Sequence, residues 1–370
     1  MFDKQAAAKT PGMLGHGFYS HHSEAQKAAN ELAFPALARA VAAIDPSTTR
    51  HNFVAADYGC AQGTSSLAPM KLVIDAVKSR WNPVPAISVV HIDLPTNDFA
   101  TLFDTVQNSP DSYLRGESNI FSFVCGRSTY DRAFSPATLA LGYCAITLHW
   151  LSRKPGNIPG ALWSQGRSDA AQKAWATQAR EDWFGFLTHR SRELKLSGRL
   201  VLLASGALDS PDGGPGALMA TANSAVAAMV SDGVIDSNEY LAMDLPIYYR
   251  TEAEWKEPFT SGSDFSKQNG LSLQQFEKLL LPNPYSSTYQ QTGDARNFSQ
   301  SFAAFFRAFA EPSFAKALRP DRSPQDQHRI MDELFARVQK SMESDPSRYH
   351  APWQLALLEI QKLSRPDLGA

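Results

Sequence analysis

Asp57 and Asp93 each close an apolar run, "HNFVAADYG" and "AISVVHIDLP", and turn residues follow both. In open α/β sheets ligands bind beyond the carboxyl ends of the strands. These two acids therefore stand where a ligand would be met. Gly59 and Gly63 follow Asp57 in "ADYGCAQG", and glycine lets a backbone approach a ligand closely. A nucleotide-type cofactor fits. The dinucleotide fingerprint is G-x-G-x-x-G with an acid about 20 residues on. Here the turn is G-x-x-x-G, and the next acid lies 93 − 57 = 36 residues after the first. That wider unit suits S-adenosylmethionine better than NAD. Asp93 would accept from the ribose hydroxyls, Leu94 would lie against the adenine, and the amino-acid end would sit over Gly59. The plainer alternative is that Asp57 caps a turn which the glycines close.

A second cluster pairs "GFYSHHSEAQ" near the N-terminus with "ITLHWLS" at 146–152. Trp150 carries an indole N–H that only donates, and the Gln26 amide can also donate. Two neutral donors can hold one carboxylate. His149 could line the same cavity. A core tryptophan with a satisfied N–H explains Trp150 equally well. Tyr19 and Gln26 read as part of a lid turned toward a ligand, or as a solvated cap. His16, His21 and His22 have no acid or cysteine at metal spacing beside them, so no metal site is expected.

The elements that must position these residues alternate. Strands are expected at "HNFVAADYG", "AISVVHIDLP", "SNIFSFVCG", "LALGYCAITLHW" and "SGRLVLLASG". Helices fall between the first three and over about 169–196. Continuous apolar strands in β-α-β order imply a parallel sheet buried on both faces. After residue 206 the rhythm breaks: "DSPDGGPG" reads as a flexible loop, then helices follow. "FEKLLLP" and "WQLALLEIQKL" are read as strands added late to the same sheet. The expected division is a lid or cap segment at 1–45, a cofactor-binding core at 46–206, and a helical cap with late strands at 207–370.

The chain has 370 residues, 43% hydrophobic and 19% charged, with formal net charge −2. That composition supports a sizeable core, and the charge argues against a nucleic-acid partner. Cys60, Cys125 and Cys144 form no disulfide pattern, which suits a reducing, cytoplasmic setting. No apolar run is long enough to span a membrane.

Taken together, these stretches resemble the SABATH family of small-molecule methyltransferases, here taken as a microbial member. "FYSHHSEAQ" resembles the family's S-Y-x-x-N-S-x-x-Q, "ADYGCAQGTSS" its A-D-L-G-C-S-S-G-P-N-T, and "DLPTNDF" its D-L-P-x-N-D-F. "STYDRAFSP" resembles S-F-Y-x-R-L-F-P, "ITLHWLS" resembles Y-S-L-H-W-L-S, and "FRAFAEP" resembles R-A-V-A-E-P. The resemblance runs over about residues 15–365. It implies an α/β, Rossmann-like methyltransferase sheet with an α-helical cap formed by the N-terminal segment and C-terminal insertions, often dimeric. It implies S-adenosylmethionine as methyl donor and S-adenosylhomocysteine as product. Cofactor contacts carry over to Tyr19, Ser23, Asp57, Gly59, Asp93, Leu94 and Ser128, with Gly63, Ser65 and Thr129 in the same loops. The carboxylate clamp carries over to Gln26 and Trp150, with Tyr19, Ile146 and His149 beside the substrate. Three positions depart: Ser65 replaces the family's Asn, Thr129 an aromatic, and Ile146 a Tyr. The last change turns the expectation away from salicylate-like acids.

The function implied is methyl ester formation on a small carboxylic acid. Such an acid is already ionised at pH 7, so no general base is needed, and none stands out. The rivals are N-methylation of a heteroaromatic base and a non-catalytic cofactor-binding scaffold.

Overall fold

The computed structural model describes residues 24–165, 170–261 and 263–364. Seven runs rich in leucine and β-branched residues form one sheet: β1 (Asn52–Tyr58), β2 (Ala86–Asp93), β3 (Ile120–Gly126), β4 (Leu139–Ala145), β5 (Leu194–Ser205), β6 (Leu271–Leu281) and β7 (Trp353–Lys362). Their order is β3-β2-β1-β4-β5-β7-β6. Neighbours among β1 to β5 pair in parallel, whereas β7 is antiparallel to β5 and β6. The two late apolar runs are therefore strands of the same sheet. The parallel sheet expected from the alternating strands holds for β1 to β5; the reversal of β7 goes unread, because strand direction leaves no trace in an apolar run.

The strand order reverses direction at β1, between β2 and β4, which is the switch point where ligands bind in open α/β sheets. One face is covered by α1 (Glu24–Ala43), α2 (Leu67–Arg80) and α3 (Phe99–Asn108). In α1, Ala29, Ala33, Ala36 and Ala40 recur at helical spacing and are wholly buried against the sheet. Small side chains there let the helix axis lie close. Pro35 within α1 removes one N–H donor, opposite the exposed Glu31. The other face takes α4 (Ala170–Glu193), whose Trp183, Phe186 and Leu187 are buried against Tyr58, Leu200 and Leu202. Each such side chain contributes about 1.5–3 kcal/mol of burial.

Helices α5 (Gly216–Ser231), α6 (Ser237–Ala242), α9 (Pro284–Thr292), α10 (Ala295–Lys316) and α11 (Pro324–Ser344) build a separate aromatic core over the carboxyl end of the sheet. Two short helices, α7 (Glu252–Lys256) and α8 (Phe265–Asn269), lead into β6.

Three local readings change. β5 begins at Leu194, so residues 194–196 are strand rather than the end of the preceding helix. Within it Ser197 sits at φ 63, where the pairing with β4 is irregular. β4 stops at Ala145, so His149 and Trp150 lie beyond the strand rather than in it. The loop "DSPDGGPG" is held in place: Gln354 Oε1 accepts from the amides of Leu208, Asp209 and Ser210 at 2.8, 2.8 and 3.2 Å.

Candidate active site

A row of polar side chains crosses the sheet at its switch point. In register, His91 of β2 pairs with Asp57 of β1, and Asp57 pairs with Tyr143 of β4. Asp57 is 5% exposed. Its Oδ2 accepts a short hydrogen bond from the Ser66 hydroxyl and lies 3.1 Å from His91 Nδ1. Tyr143 donates to Asn30 Oδ1 (2.7 Å), and Asn30 Nδ2 donates to the carbonyl of Ser65 (3.1 Å). Asn30 thus ties α1 to the glycine loop. Gln26 lies one helical turn earlier on the same face.

The loop after β1 is built around backbone that only glycine adopts freely. Gly59 has φ 80, and a Cβ there would overlap the Thr147 hydroxyl and stand 2.7 Å from Thr147 Cγ2. The Gly59 and Cys60 amides both donate to the Ile92 carbonyl, at 2.8 and 3.3 Å. Asp93 completes the turn: Oδ2 accepts from the Ala61 amide at 2.7 Å and Oδ1 from the Leu94 amide at 2.8 Å. Each carboxylate oxygen keeps lone pairs for a diol. Burial pushes the Asp93 carboxyl up to about 6, and those two amides keep it from rising further. Asn97 Nδ2 donates to the Ala61 carbonyl (2.7 Å), fixing a residue at φ 46.

The segment after β4 is strained and then stitched. Ile146 sits at φ 53, a conformation that costs a β-branched residue about 1–2 kcal/mol. Tyr130 donates to the carbonyls of Trp150 (2.6 Å) and Leu148 (3.2 Å). Arg250, 1% exposed, donates to the Leu148 carbonyl (2.5 Å) and to that of Ala179. Trp150 and Ile247 form an antiparallel bridge, with Tyr248 N–H on the His149 carbonyl and Leu151 N–H on that of Pro246. Trp150 also packs edge-on against Phe309 of the cap.

Two cavities open here. The larger, about 600 Å³, runs from Asp93 and Ser128 past Asp57 to Trp150. The smaller, about 80 Å³, lies under the cap between Ala29, Leu218, Phe305, Phe309 and Trp353. Gln26, Ile146 and Trp150 line both. Gln26 Oε1 is buried with no hydrogen-bond partner among the described residues. His149 lines only the smaller cavity; burial and the nearby Arg250 charge hold its pKa down at about 3.

Of the residues singled out in the sequence, Asp57, Gly59, Ser65, Asp93, Leu94, Ser128, Thr129, Gln26, Ile146 and Trp150 line the larger cavity. Gly63 does not; at φ 88 its open side faces Leu102 and Thr105, as a turn residue. Tyr19 and Ser23 lie outside the described residues. Sequence reasoning passed over Asn30, Ser66, His91, Tyr130 and Arg250. The signal for two of them was present: Asn30 is polar within the apolar face of α1, and His91 is polar within the apolar β2.

The profile of the SAM-dependent carboxyl methyltransferase family matches residues 9–361. A methyltransferase named FUS9 from Gibberella fujikuroi is 31% identical over 329 residues, spanning 86% of both chains. The jasmonate O-methyltransferase of Arabidopsis thaliana is 27% identical, over 77% of this chain and 80% of its own. The structure of loganic acid methyltransferase with SAH superposes with a TM-score of 0.75 at 21% identity, covering 96% of this chain and all of that one.

Proposed function

Because the chain belongs to the SAM-dependent carboxyl methyltransferase family, we propose that Gln26 and Trp150 clamp the carboxylate of a small acid at the junction of the two cavities, and that its acyl part enters the smaller one. The observation that carries this is the shared lining: Gln26 and Trp150 stand where both cavities meet, and the buried Gln26 Oε1 has no hydrogen-bond partner among the described residues. A half-turn of that amide offers N–H at the same point.

The larger cavity suits the cofactor in volume and chemistry. Ribose hydroxyls would donate to Asp93, the adenine would rest by Leu94 and Thr129, and the amino-acid end would approach Asp57 across Gly59, where a side chain is excluded. When bound, the cofactor supplies a methyl group on a sulfonium. The residues then have to hold the acid in line with it, with reacting atoms about 3–3.5 Å apart. Trp150 and Gln26 bond one carboxylate oxygen and leave the other nucleophilic. Neutral donors suit a step in which the acid loses its charge, since a buried cation would stabilise the ground state more than the transition state. His149 stays neutral at physiological pH and adds no such cation. The mostly apolar lining of the smaller cavity would leave attraction between carboxylate and sulfonium weakly screened.

The departure at Ile146 removes aromatic surface beside the substrate, and an acyl cavity of about 80 Å³ favours a compact acid. We read residues 1–45 as lid, 46–206 as cofactor core and 207–370 as cap with late strands. The same reading has a cytoplasmic enzyme able to pair as a homodimer, without nucleic-acid or membrane partners; the unpaired Cys60, Cys125 and Cys144 support that compartment.

Calorimetry tests the clamp. With S-adenosylhomocysteine bound, wild type should take up a small carboxylate. A Gln26→Ala, Trp150→Phe double variant should bind S-adenosylhomocysteine normally and lose the acid. Uptake of xanthines instead of acids would favour N-methylation.

A further inference from the structure

We propose that His91 is a positioning residue for the cofactor site, holding Asp57 in place through a buried relay that ends at Tyr113 and Ser122. His91 is fully buried in the second strand and lines neither cavity, so it acts on a ligand only through another group. Its Nδ1 lies 3.1 Å from Asp57 Oδ2, and its Nε2 lies 2.7 Å from the Tyr113 hydroxyl. That hydroxyl is bonded in turn to Ser122 Oγ at 3.0 Å. The Ser66 hydroxyl also donates to Asp57 Oδ2. Among the described residues both side-chain contacts to Asp57 fall on one oxygen, which fixes the carboxylate plane and leaves Oδ1 toward the cavity. Burying an imidazole between apolar strands is costly unless its nitrogens are bonded. Here both are, one of them to the cleft carboxylate. A leucine would fill the same strand position without that cost and without fixing Asp57.

The inference rests on the reading that Asp57 meets the amino-acid end of the cofactor, and ligand pairs separate the two claims. S-adenosylhomocysteine carries that end; 5′-methylthioadenosine lacks it but keeps the ribose and adenine. By calorimetry, His91→Leu should weaken S-adenosylhomocysteine roughly tenfold, the scale of a lost hydrogen bond to a charged group, and leave 5′-methylthioadenosine unchanged. His91→Asn, whose amide can reach Asp57 in place of Nδ1, should recover most of the loss. Tyr113→Phe keeps the packing and frees one imidazole nitrogen; it should weaken S-adenosylhomocysteine alone, by less. Equal weakening of both ligands, or wild-type binding in both His91→Leu and Tyr113→Phe, would overturn the relay. Asp57→Asn is the control. If it leaves S-adenosylhomocysteine binding intact, the reading of Asp57 fails and the relay with it. If it weakens that ligand while the His91 and Tyr113 variants do not, the relay alone fails.

Discussion

Gly59 and Thr147 meet with no room between them: a Cβ on Gly59 would overlap the Thr147 hydroxyl and stand 2.8 Å from its Cβ. The turn after the first strand and the segment after the fourth are thereby locked side by side. Together they form the floor on which the cofactor's amino-acid end and the acid's carboxylate are proposed to meet.

Gly59→Ala should therefore be doubly penalised, by the steric overlap and by φ 80, which costs about 1–2 kcal/mol for an L side chain. Thermal unfolding should show a lowered Tm, and titration a loss of S-adenosylhomocysteine binding. Adding Thr147→Ala should recover part of the loss, because it removes the hydroxyl and methyl contacts and leaves the 2.8 Å approach of Cβ and the backbone strain.

Binding should depend on pH through Asp93. Burial raises its pKa from 3.8 to about 6, so ionising it destabilises the free protein as pH rises through 6. A ligand whose hydroxyls donate to the carboxylate prefers the ionised form. S-adenosylhomocysteine affinity should be level above about pH 6 and fall toward tenfold per pH unit below it. Asp93→Asn should bind weakly with a flat profile across the same range, read by titration from pH 5 to 8.

Turnover should not follow a general base. The acid is ionised across the neutral range, and His149, with its pKa held at about 3, does not titrate there. Under saturating cofactor and acid, kcat should be flat between about pH 6.5 and 8.5. A bell-shaped profile would require a base that the clamp does not use.

Tyr130→Phe should disturb Trp150 without touching the acid. The lost hydroxyl serves the carbonyls of Trp150 and Leu148. We expect kcat/KM for the acid to fall roughly tenfold, as for one or two hydrogen bonds, with S-adenosylhomocysteine affinity kept. Arg250 holds the Leu148 carbonyl as well, so the segment should stay folded.

Much of this site was legible from residue type and order. Asp57, Gly59 and Asp93 stand out because each acid closes an apolar run and a glycine turn follows the first, and all three line the larger cavity; Gln26 and Trp150 follow from the resemblance. What escaped was set by tertiary register. The row His91–Asp57–Tyr143 exists only once the three strands pair. Ile146 looks like the tail of a strand, yet it sits at a positive φ just beyond the strand's end. The reversal of the last strand, Trp353–Lys362, is invisible because antiparallel and parallel buried strands share one composition. The pinning of the loop after Ser205 depends on Gln354, 354 − 205 = 149 residues further along.

The central claim is that Gln26 and Trp150 hold a carboxylate for methylation. Its most direct test is methyl transfer from radiolabelled S-adenosylmethionine to a panel of small carboxylic acids, aromatic and aliphatic, set beside xanthines and phenols. Wild type should place label in a base-labile, extractable ester of one or more compact acids. The Gln26→Ala, Trp150→Phe double variant should form little of it while still binding S-adenosylhomocysteine. Label appearing on a xanthine nitrogen or a phenol and on no acid, or undiminished ester formation by the double variant, would contradict the account.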